Sequence, residues 1–257
     1  MWRNIRLLIL LLVLLWAATH TWLERIGSTG WKEPLWVGIF PVNADGSEVA
    51  QNYVAGLNER EFADIEDFAA REAHRYGKEL TEPVHVALYP QVKQSPPQLE
   101  RDAGVLGTAW WSLKLRWFAW RAIDFGGRAP PRIRLLVLYH DPATLQVVPD
   151  SHGMQKGLLG VVHTFAQRSM AGSNSIVIAH ELLHTLGASD KYDPASGAPL
   201  FPIGFAEPDR NPRYPQEKAE VMAGRRAVSA QDAEMPETLR AVVIGPATAA
   251  EIRWIRP

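Results

Sequence analysis

The sequence contains no cysteine, which excludes disulfide bonds and every zinc site that needs a thiolate ligand. A metal ion would have to be held by histidine, carboxylate or water. The 27 basic and 28 acidic side chains nearly balance and no block of Lys or Arg stands out, so nucleic-acid binding is not expected. Internal repeats and low-complexity tracts are also missing. The 257 residues suit one domain with appendages, and nearly half are apolar, which permits a sizeable core.

The N-terminus carries a long apolar run. Arg3 and Arg6 precede it, and the run extends to residue 23. A helix of about 20 apolar residues can span a bilayer, and the two arginines favour a cytoplasmic N-terminus. Residues 1–23 are therefore predicted to be an uncleaved signal anchor in the inner or plasma membrane, with the rest of the chain on the extracytoplasmic side. A cleaved signal peptide, which would make the protein secreted, is the alternative.

The order of apolar segments predicts an α/β fold with a mostly parallel, twisted sheet. Residues 24–33 are predicted to be a linker. Residues 34–257 are predicted to form one domain, with an N-terminal subdomain to about residue 187 and a small irregular C-terminal subdomain from about residue 188. Apolar runs predict strands over residues 35–42, 84–89, 133–139 and 158–165. Helical spacing predicts helices over residues 58–76 (ended by Gly77), 99–123, 173–186 (capped by Ser173-Asn174-Ser175), 229–240 and 246–254.

The most informative run begins His180-Glu181, reaches His184 and continues to Gly187 and Asp190. Residues four apart lie about 40° apart around a helix, so the two histidines project from one face and can grip one metal ion. Glu181 is offset by one residue and can reach a water on that ion. Gly187 can end the helix in a left-handed conformation, and Asp190 can then turn back as a third ligand. Three later glutamates are alternatives for that ligand: Glu207, Glu217 and Glu220.

This run resembles the H-E-x-x-H-x-x-G-x-x-H motif of the metzincin clan of zinc peptidases, with Asp190 in place of the last histidine, as in the snapalysin type. Metzincins place a methionine-containing turn beneath the metal, and Glu-Val-Met-Ala-Gly at residues 220–224 matches it, with Met222 as the methionine. Tyr192 follows Asp190 by two residues, as in snapalysin-like sequences. The resemblance implies a metzincin-like zincin fold with one Zn²⁺ per chain, held by the two histidines and Asp190.

These residues predict a zinc metalloendopeptidase that acts on peptides or proteins. Glu181 would take a proton from a zinc-activated water and deliver it to the leaving amine. Tyr192 would donate to the oxyanion, and Tyr214 is a weaker rival for that role. Two other functions stay open: a non-catalytic, metal-stabilised binding module at the membrane, and a zinc amidase that acts on a non-protein substrate.

By the same resemblance, the strand over residues 158–165 is expected to be a sheet edge to which substrate adds as an extra strand. The alternative is an interior strand with neighbours on both sides. His163 lies on this strand and is expected to be a surface or cleft residue rather than a ligand. The scattered histidines His74, His85, His140 and His152 receive no role.

One predicted helix is rich in tryptophan. In residues 110–121, apolar side chains recur at helical spacing with three cations among them. A helix that lies on a membrane surface has this composition. A helix that packs on the sheet and extends its cations into water can have the same composition. We favour this second interpretation. The apolar positions are Trp110, Leu113, Trp117 and Trp120, and the cations are Lys114, Arg116 and Arg121.

Overall fold

The computed structural model describes residues 29–100, 102–155 and 158–255, together with four isolated positions near the N-terminus. The predicted signal anchor over residues 1–23 lies outside the described residues apart from those four positions, and the predicted linker is described only from Thr29 onwards. Among the described residues, no helix combines the length and the apolar character that crossing a membrane requires. The anchor stays a prediction.

The centre of the fold is a five-stranded sheet made of β1 (Leu35–Asn43), β2 (Val84–Leu88), β3 (Ile133–His140), β4 (His152–Met154) and β5 (Leu159–Phe165). The strand order is β2-β1-β3-β5-β4. All neighbours run parallel except β4, which is antiparallel to β5. The central strand β3 is buried on both sides, as expected when helices cover both faces of a parallel sheet. The predicted α/β fold with a mostly parallel sheet is confirmed.

Helices form a layer on each face of the sheet. They are α1 (Glu48–Ala55), α2 (Ala63–Arg75), α3 (Gly104–Ala122), α4 (Ala171–Leu186) and α5 (Pro246–Glu251). Apolar residues of α1, α2 and α4 pack in one core cluster on one face. On the other face, Trp111, Leu115 and Ala119 of α3 pack in a second cluster with residues of β1, β3 and β5. The molecule is thus built in three layers.

The chain after α4 is largely irregular. Its short strands are β6 (Ala219–Glu220), β7 (Arg226–Ala227), β8 (Ala233–Glu234) and β9 (Val242–Val243), which pair as β6 with β9 and β7 with β8. The predicted helix over residues 229–240 is wrong, because β8 and a 3₁₀ turn at Leu239–Ala241 occupy this region. Pro236 lies between them, and its missing N–H and its ring prevent a continuous helix.

The other predicted helices are present, although their ends differ. The segment at 58–76 forms a 3₁₀ turn, Glu59–Phe62, followed by α2. Gly77 follows α2 with a φ of +67°, the left-handed conformation expected at a helix end. The segment at 99–123 becomes helical only from Gly104.

The prediction that residues 158–165 form a sheet edge is wrong. Strand β5 has β3 on one side and β4 on the other, so the interior alternative is correct. The edge on this side is β4. A strand of three residues is too short to show the alternating apolar pattern by which strands are recognised in a sequence.

The predicted cap of α4 is also different from the one observed. The helix begins at Ala171, so Ser173, Asn174 and Ser175 lie inside its first turns. Asn174 is buried, and its side-chain amide bonds to both backbone groups of Phe165. The amide nitrogen donates to the carbonyl at 2.8 Å, and the amide oxygen accepts from the N–H at 3.2 Å. Asn174 thus joins the start of α4 to the end of β5.

We predict that Asn174→Ala lowers the free energy of unfolding by about 1–3 kcal/mol, because two polar groups of Phe165 lose their partner. Urea denaturation measures this difference. The matched control is Asn52→Ala on the exposed surface of α1, for which we expect a change within about 0.5 kcal/mol. Equal effects of the two substitutions would show that the Asn174 bridge contributes nothing.

Candidate metal centre

Helix α4 and the turn that follows it bring the motif residues together. His180 and His184 lie on one face of α4, and the helix ends at Gly187, whose φ is +102°. The N–H of Gly187 bonds to the carbonyl of His184, and the N–H of Ala188 bonds to that of Leu183. This left-handed ending was expected from the sequence. It reverses the chain so that Asp190 comes back against the helix.

Three side-chain atoms then form a nearly equilateral triangle. The two Nε2 atoms of His180 and His184 are 3.0 Å apart, and Asp190 Oδ1 lies 3.1 and 3.2 Å from them. A tetrahedral zinc ion with bonds of about 2.0–2.1 Å separates its ligand atoms by about 3.3 Å. The donor set and its dimensions therefore fit a zinc ion.

Backbone carbonyls fix the orientation of both imidazoles. His180 Nδ1 lies 3.0 Å from the carbonyl oxygen of Val221, and His184 Nδ1 lies 2.8 Å from that of Ala188. A carbonyl only accepts, so each Nδ1 carries the proton, and each neutral ring directs the lone pair of its Nε2 into the triangle. Carbonyl partners of this kind fix the tautomer of metal-binding histidines.

Asp190 and His184 shift each other's pKa values. Burial raises the pKa of Asp190, but hydrogen bonds from His180 and His184, which these rings can donate through Nε2 only in their protonated form, outweigh burial and hold this pKa well below its ordinary value. Burial lowers the pKa of His184, whereas Asp190 and Glu181 raise it, and the net shift is upward. Each shift reflects attraction between a carboxylate and the protonated form of a neighbouring imidazole.

Glu181 lies beside the triangle. One ligand atom from each of His180, Glu181 and His184 falls within 4.8 Å of the other two. Burial raises the pKa of Glu181, although the N–H of Gly153 donates to its carboxylate and acts in the opposite direction. Its buried Oε2 has no hydrogen-bond partner among the described residues. A buried carboxylate with a free acceptor and a raised pKa is suited to receive a proton.

The edge strand β4 lies directly against α4. A Cβ added at Gly153 would come 2.6 Å from the Cβ of His184 and closer still to the carbonyl oxygen of Glu181. Glycine is therefore required for this approach. Nothing in the sequence indicates this contact, because Gly153 is far from the motif along the chain and its strand is only three residues long.

An open cleft of about 540 Å³ reaches the triangle. His180, Glu181 and Asp190 line it, together with residues of β4 and of the segment around Gly224. Tyr192 is in the lining too. Burial and the nearby negative charges of Asp190 and Glu181 raise the pKa of Tyr192, which keeps its phenol protonated and able to donate. His152, which received no role from the sequence, also lines the cleft.

Tyr214 is located elsewhere. Its ring lies 6.0 Å from that of Phe205, and it is not among the described residues that line the cleft. His163 is largely buried and lines a neighbouring cavity of about 590 Å³ rather than this cleft, and its Nδ1 is 2.8 Å from Nε2 of His140. Burial is the main cause that lowers its pKa to about 4.

The alternative glutamates do not join the triangle. Glu207 and Glu217 both pair with Arg210. Glu220 is fully buried, and its carboxylate accepts four hydrogen bonds. Two come from the backbone of Met222 and Ala223, so Glu220 stabilises the turn that carries Val221 and Met222. The other donors are the Gly245 N–H and the Thr248 hydroxyl.

This turn is a short 3₁₀ segment, Val221–Ala223, that ends at Gly224 with a φ of +67°. It packs on α4, where Met222 is fully buried in the core. Its Val221 carbonyl is the one that contacts His180 Nδ1. Met222 therefore has a packing role beneath the helix that carries the histidines.

An ion pair between a buried lysine and a half-exposed glutamate holds the loop that carries Asp190. The side chain of Lys191 is only 2% exposed, and its Nζ lies 2.8 Å from Oε2 of Glu251 in α5. The same carboxylate accepts from the N–H and the hydroxyl of Ser189. The residues on both sides of Asp190 are thus fixed to the C-terminal helix. The sequence had no motif that indicated this pair.

No model of a known protein family matches this chain, and no curated protein matches it in sequence. The resemblance to metzincins therefore rests on the motif residues alone and stays a prediction.

We predict that Glu251→Gln lowers the free energy of unfolding by about 1–3 kcal/mol at neutral pH, because buried Lys191 loses its counter-charge. Burial raises the pKa of Glu251, but Lys191 and Ser189 outweigh burial and lower it below 4.5. The contribution of the pair is therefore present above this pH and is lost as the pH falls through the lowered pKa. The difference between the two proteins should shrink in acid.

Denaturant unfolding at several pH values measures this difference. The control is Glu234→Gln, which removes an exposed pair with Arg226 and should change the stability by less than about 1 kcal/mol. A difference for Glu251→Gln that stayed constant down to strongly acid pH would contradict the assignment.

Proposed function

We propose that this chain is a zinc-dependent endopeptidase that cleaves peptide bonds with water, with Glu181 as the general base. The triangle of His180 Nε2, His184 Nε2 and Asp190 Oδ1, with edges of 3.0–3.2 Å, is the observation that carries the proposal. Two imidazoles and one carboxylate are a zinc ligand set that leaves a fourth position for solvent or substrate. When bound, zinc supplies Lewis acidity that makes water a stronger acid and polarises a carbonyl group.

The role of Glu181 follows from its surroundings. Gly153 donates to the carboxylate, and Oε2 has no partner among the described residues. This oxygen is suited to accept the proton of the attacking water and to pass it to the nitrogen of the leaving amine. Burial, which raises the pKa of Glu181, brings its basicity closer to that needed near neutral pH.

Edge strand β4 favours a peptide as the substrate. It is the last strand of the sheet on this side, and it lies against α4 and beside the cleft. An extended peptide could pair with the outer backbone groups of β4 and pass across His180 and His184. We therefore propose that substrate adds as an extra strand to His152–Met154 rather than to the strand over residues 158–165.

The alternatives are less well supported. A metal-stabilised binding module has no use for the partnerless carboxylate of Glu181. A zinc amidase would share the chemistry but would not need an edge strand for peptide pairing. The predicted anchor over residues 1–23 would hold the enzyme in the membrane, with the cleft on the extracytoplasmic side.

We predict that the purified full chain holds about one zinc per molecule and that Glu181→Gln keeps the metal but slows casein hydrolysis by about 10²–10⁴-fold or more. His184→Ala should lose both metal and hydrolysis. Elemental analysis and a fluorescent casein assay measure the two effects. Glu217→Gln is the control for removing a carboxylate, because Glu217 is paired with Arg210 at the surface.

Two outcomes would contradict the proposal. Hydrolysis retained by Glu181→Gln would overturn the role of Glu181 as the base. Wild-type protein without stoichiometric zinc after metal supplementation would overturn the metal site itself.

We predict that Tyr192→Phe lowers kcat by about 10- to 10³-fold with little change in KM, because a donor to the oxyanion acts mainly in the transition state. Zinc content should be unchanged. Tyr214→Phe is the matched control and should leave kcat unchanged, because Tyr214 packs away from the cleft. If kcat does not fall for Tyr192→Phe, Tyr192 has no part in the chemistry.

A further inference from the structure

The outward face of α3 is an exposed apolar stripe. Trp111, Leu115 and Ala119 point into the core. Each helical residue advances about 100°, so the opposite face is an arc of about 80°. The five side chains on this arc are between 58% and 86% exposed: Leu106, Trp110, Leu113, Trp117 and Trp120. We call these five residues the α3 stripe.

Cations flank the α3 stripe on both sides. On the helical projection Lys114 and Arg121 lie at one border and Arg116 at the other. The guanidinium of Arg121 lies 5.4 Å from the centre of the Trp117 ring. Helix α3, Gly104–Ala122, contains no acidic residue. The face is therefore apolar in the middle and positively charged at its borders.

This composition indicates the chemistry of the partner. A continuous exposed apolar patch is uncommon on a protein that has no partner. Tryptophan is enriched at the boundary between lipid headgroups and acyl chains, and cations beside it attract anionic headgroups. A second copy of the same face would bring like charges together, which opposes pairing.

The chain also carries a segment that could hold α3 near lipid. Residues 5–23 are long and apolar enough to span a bilayer. Residues 24–34 separate this segment from Leu35 at the start of β1, and the later ones are already fixed to the domain, because Trp31 donates to the carbonyl of Ile252 and packs on Trp254. Residues 24–30 before Trp31 reach at most about 25 Å when extended. The domain would therefore remain close to the bilayer surface.

We propose that the α3 stripe docks on the surface of an anionic phospholipid bilayer. The three tryptophans would lie at the level of the headgroups and upper acyl chains, and Lys114 and Arg121 would contact the phosphates. The structure thus combines the two interpretations left open by the sequence: α3 packs on the sheet with one face and presents the tryptophans with the other. The proposal does not depend on zinc or on hydrolysis.

Fluorescence of labelled full-length chain in liposomes tests this proposal. Because the chain has no cysteine, Leu113→Cys introduces a unique site for an environment-sensitive dye. Val49→Cys, at an exposed position of α1 on the opposite face of the sheet, is the matched control. The liposomes contain equal parts of phosphatidylcholine and phosphatidylglycerol, with a nitroxide quencher in the upper acyl chain.

We expect the dye at residue 113 to shift its emission to the blue and to be quenched at least about twofold more than the dye at residue 49. Equal quenching at the two positions would overturn the proposal. So would a residue-113 dye that is shielded but not quenched by the nitroxide lipid, which would indicate that the stripe is covered by the N-terminal segment or by a second copy.

A charge-reversal pair tests the electrostatic part. Lys114→Glu combined with Arg121→Glu should reduce the quenching of the dye at residue 113 in anionic liposomes. Added salt should weaken the quenching of the same dye when Lys114 and Arg121 are unchanged. Arg60→Glu combined with Arg240→Glu makes the same change in net charge at exposed positions outside α3. An equal effect of the two double variants would show that the charges beside the stripe do not direct docking.

Discussion

Two imidazole nitrogens and one carboxylate oxygen lie within about 3.2 Å of one another, and the structure around α4 is arranged to keep them there. The helix supplies two of the atoms and the left-handed turn at Gly187 supplies the third. Carbonyls of Val221 and Ala188 prevent the imidazoles from rotating away. The fold therefore limits how far these three side chains can move apart.

Much of this support comes from buried charges in the C-terminal segment. Glu220 fixes the turn beneath α4, and Glu251 fixes the residues on both sides of Asp190 through Ser189 and Lys191. A buried carboxylate or ammonium group is costly unless it is fully paired. Glu220 accepts from four donors, and buried Lys191 donates to Ser189 and to the half-exposed Glu251. The irregular part of the chain is thus held in place by polar contacts rather than by regular secondary structure.

The sequence predicted what is periodic or local. Continuous apolar runs marked the four parallel strands, and the spacing of His180, His184 and Gly187 placed the site on a helix end. It could not predict features made by distant residues: the Lys191–Glu251 pair, the close approach of Gly153, or the edge strand β4. The apolar spacing over residues 229–240 is compatible with a helix, but Pro236 interrupts it because proline lacks the N–H that an interior helical position needs. The anchor, the zinc ion and the catalytic roles remain predictions.

The missing side chain at Gly153 has a further consequence for how this protein could change. Strand and helix backbones meet there with no room for even a methyl group, so the contact between β4 and α4 tolerates no larger residue at this position. The residues that line the cleft lie elsewhere, among them 148–152 and 223–225. The lining of the cleft can therefore vary at those positions without disturbing the seam between strand and helix, whereas Gly153 cannot.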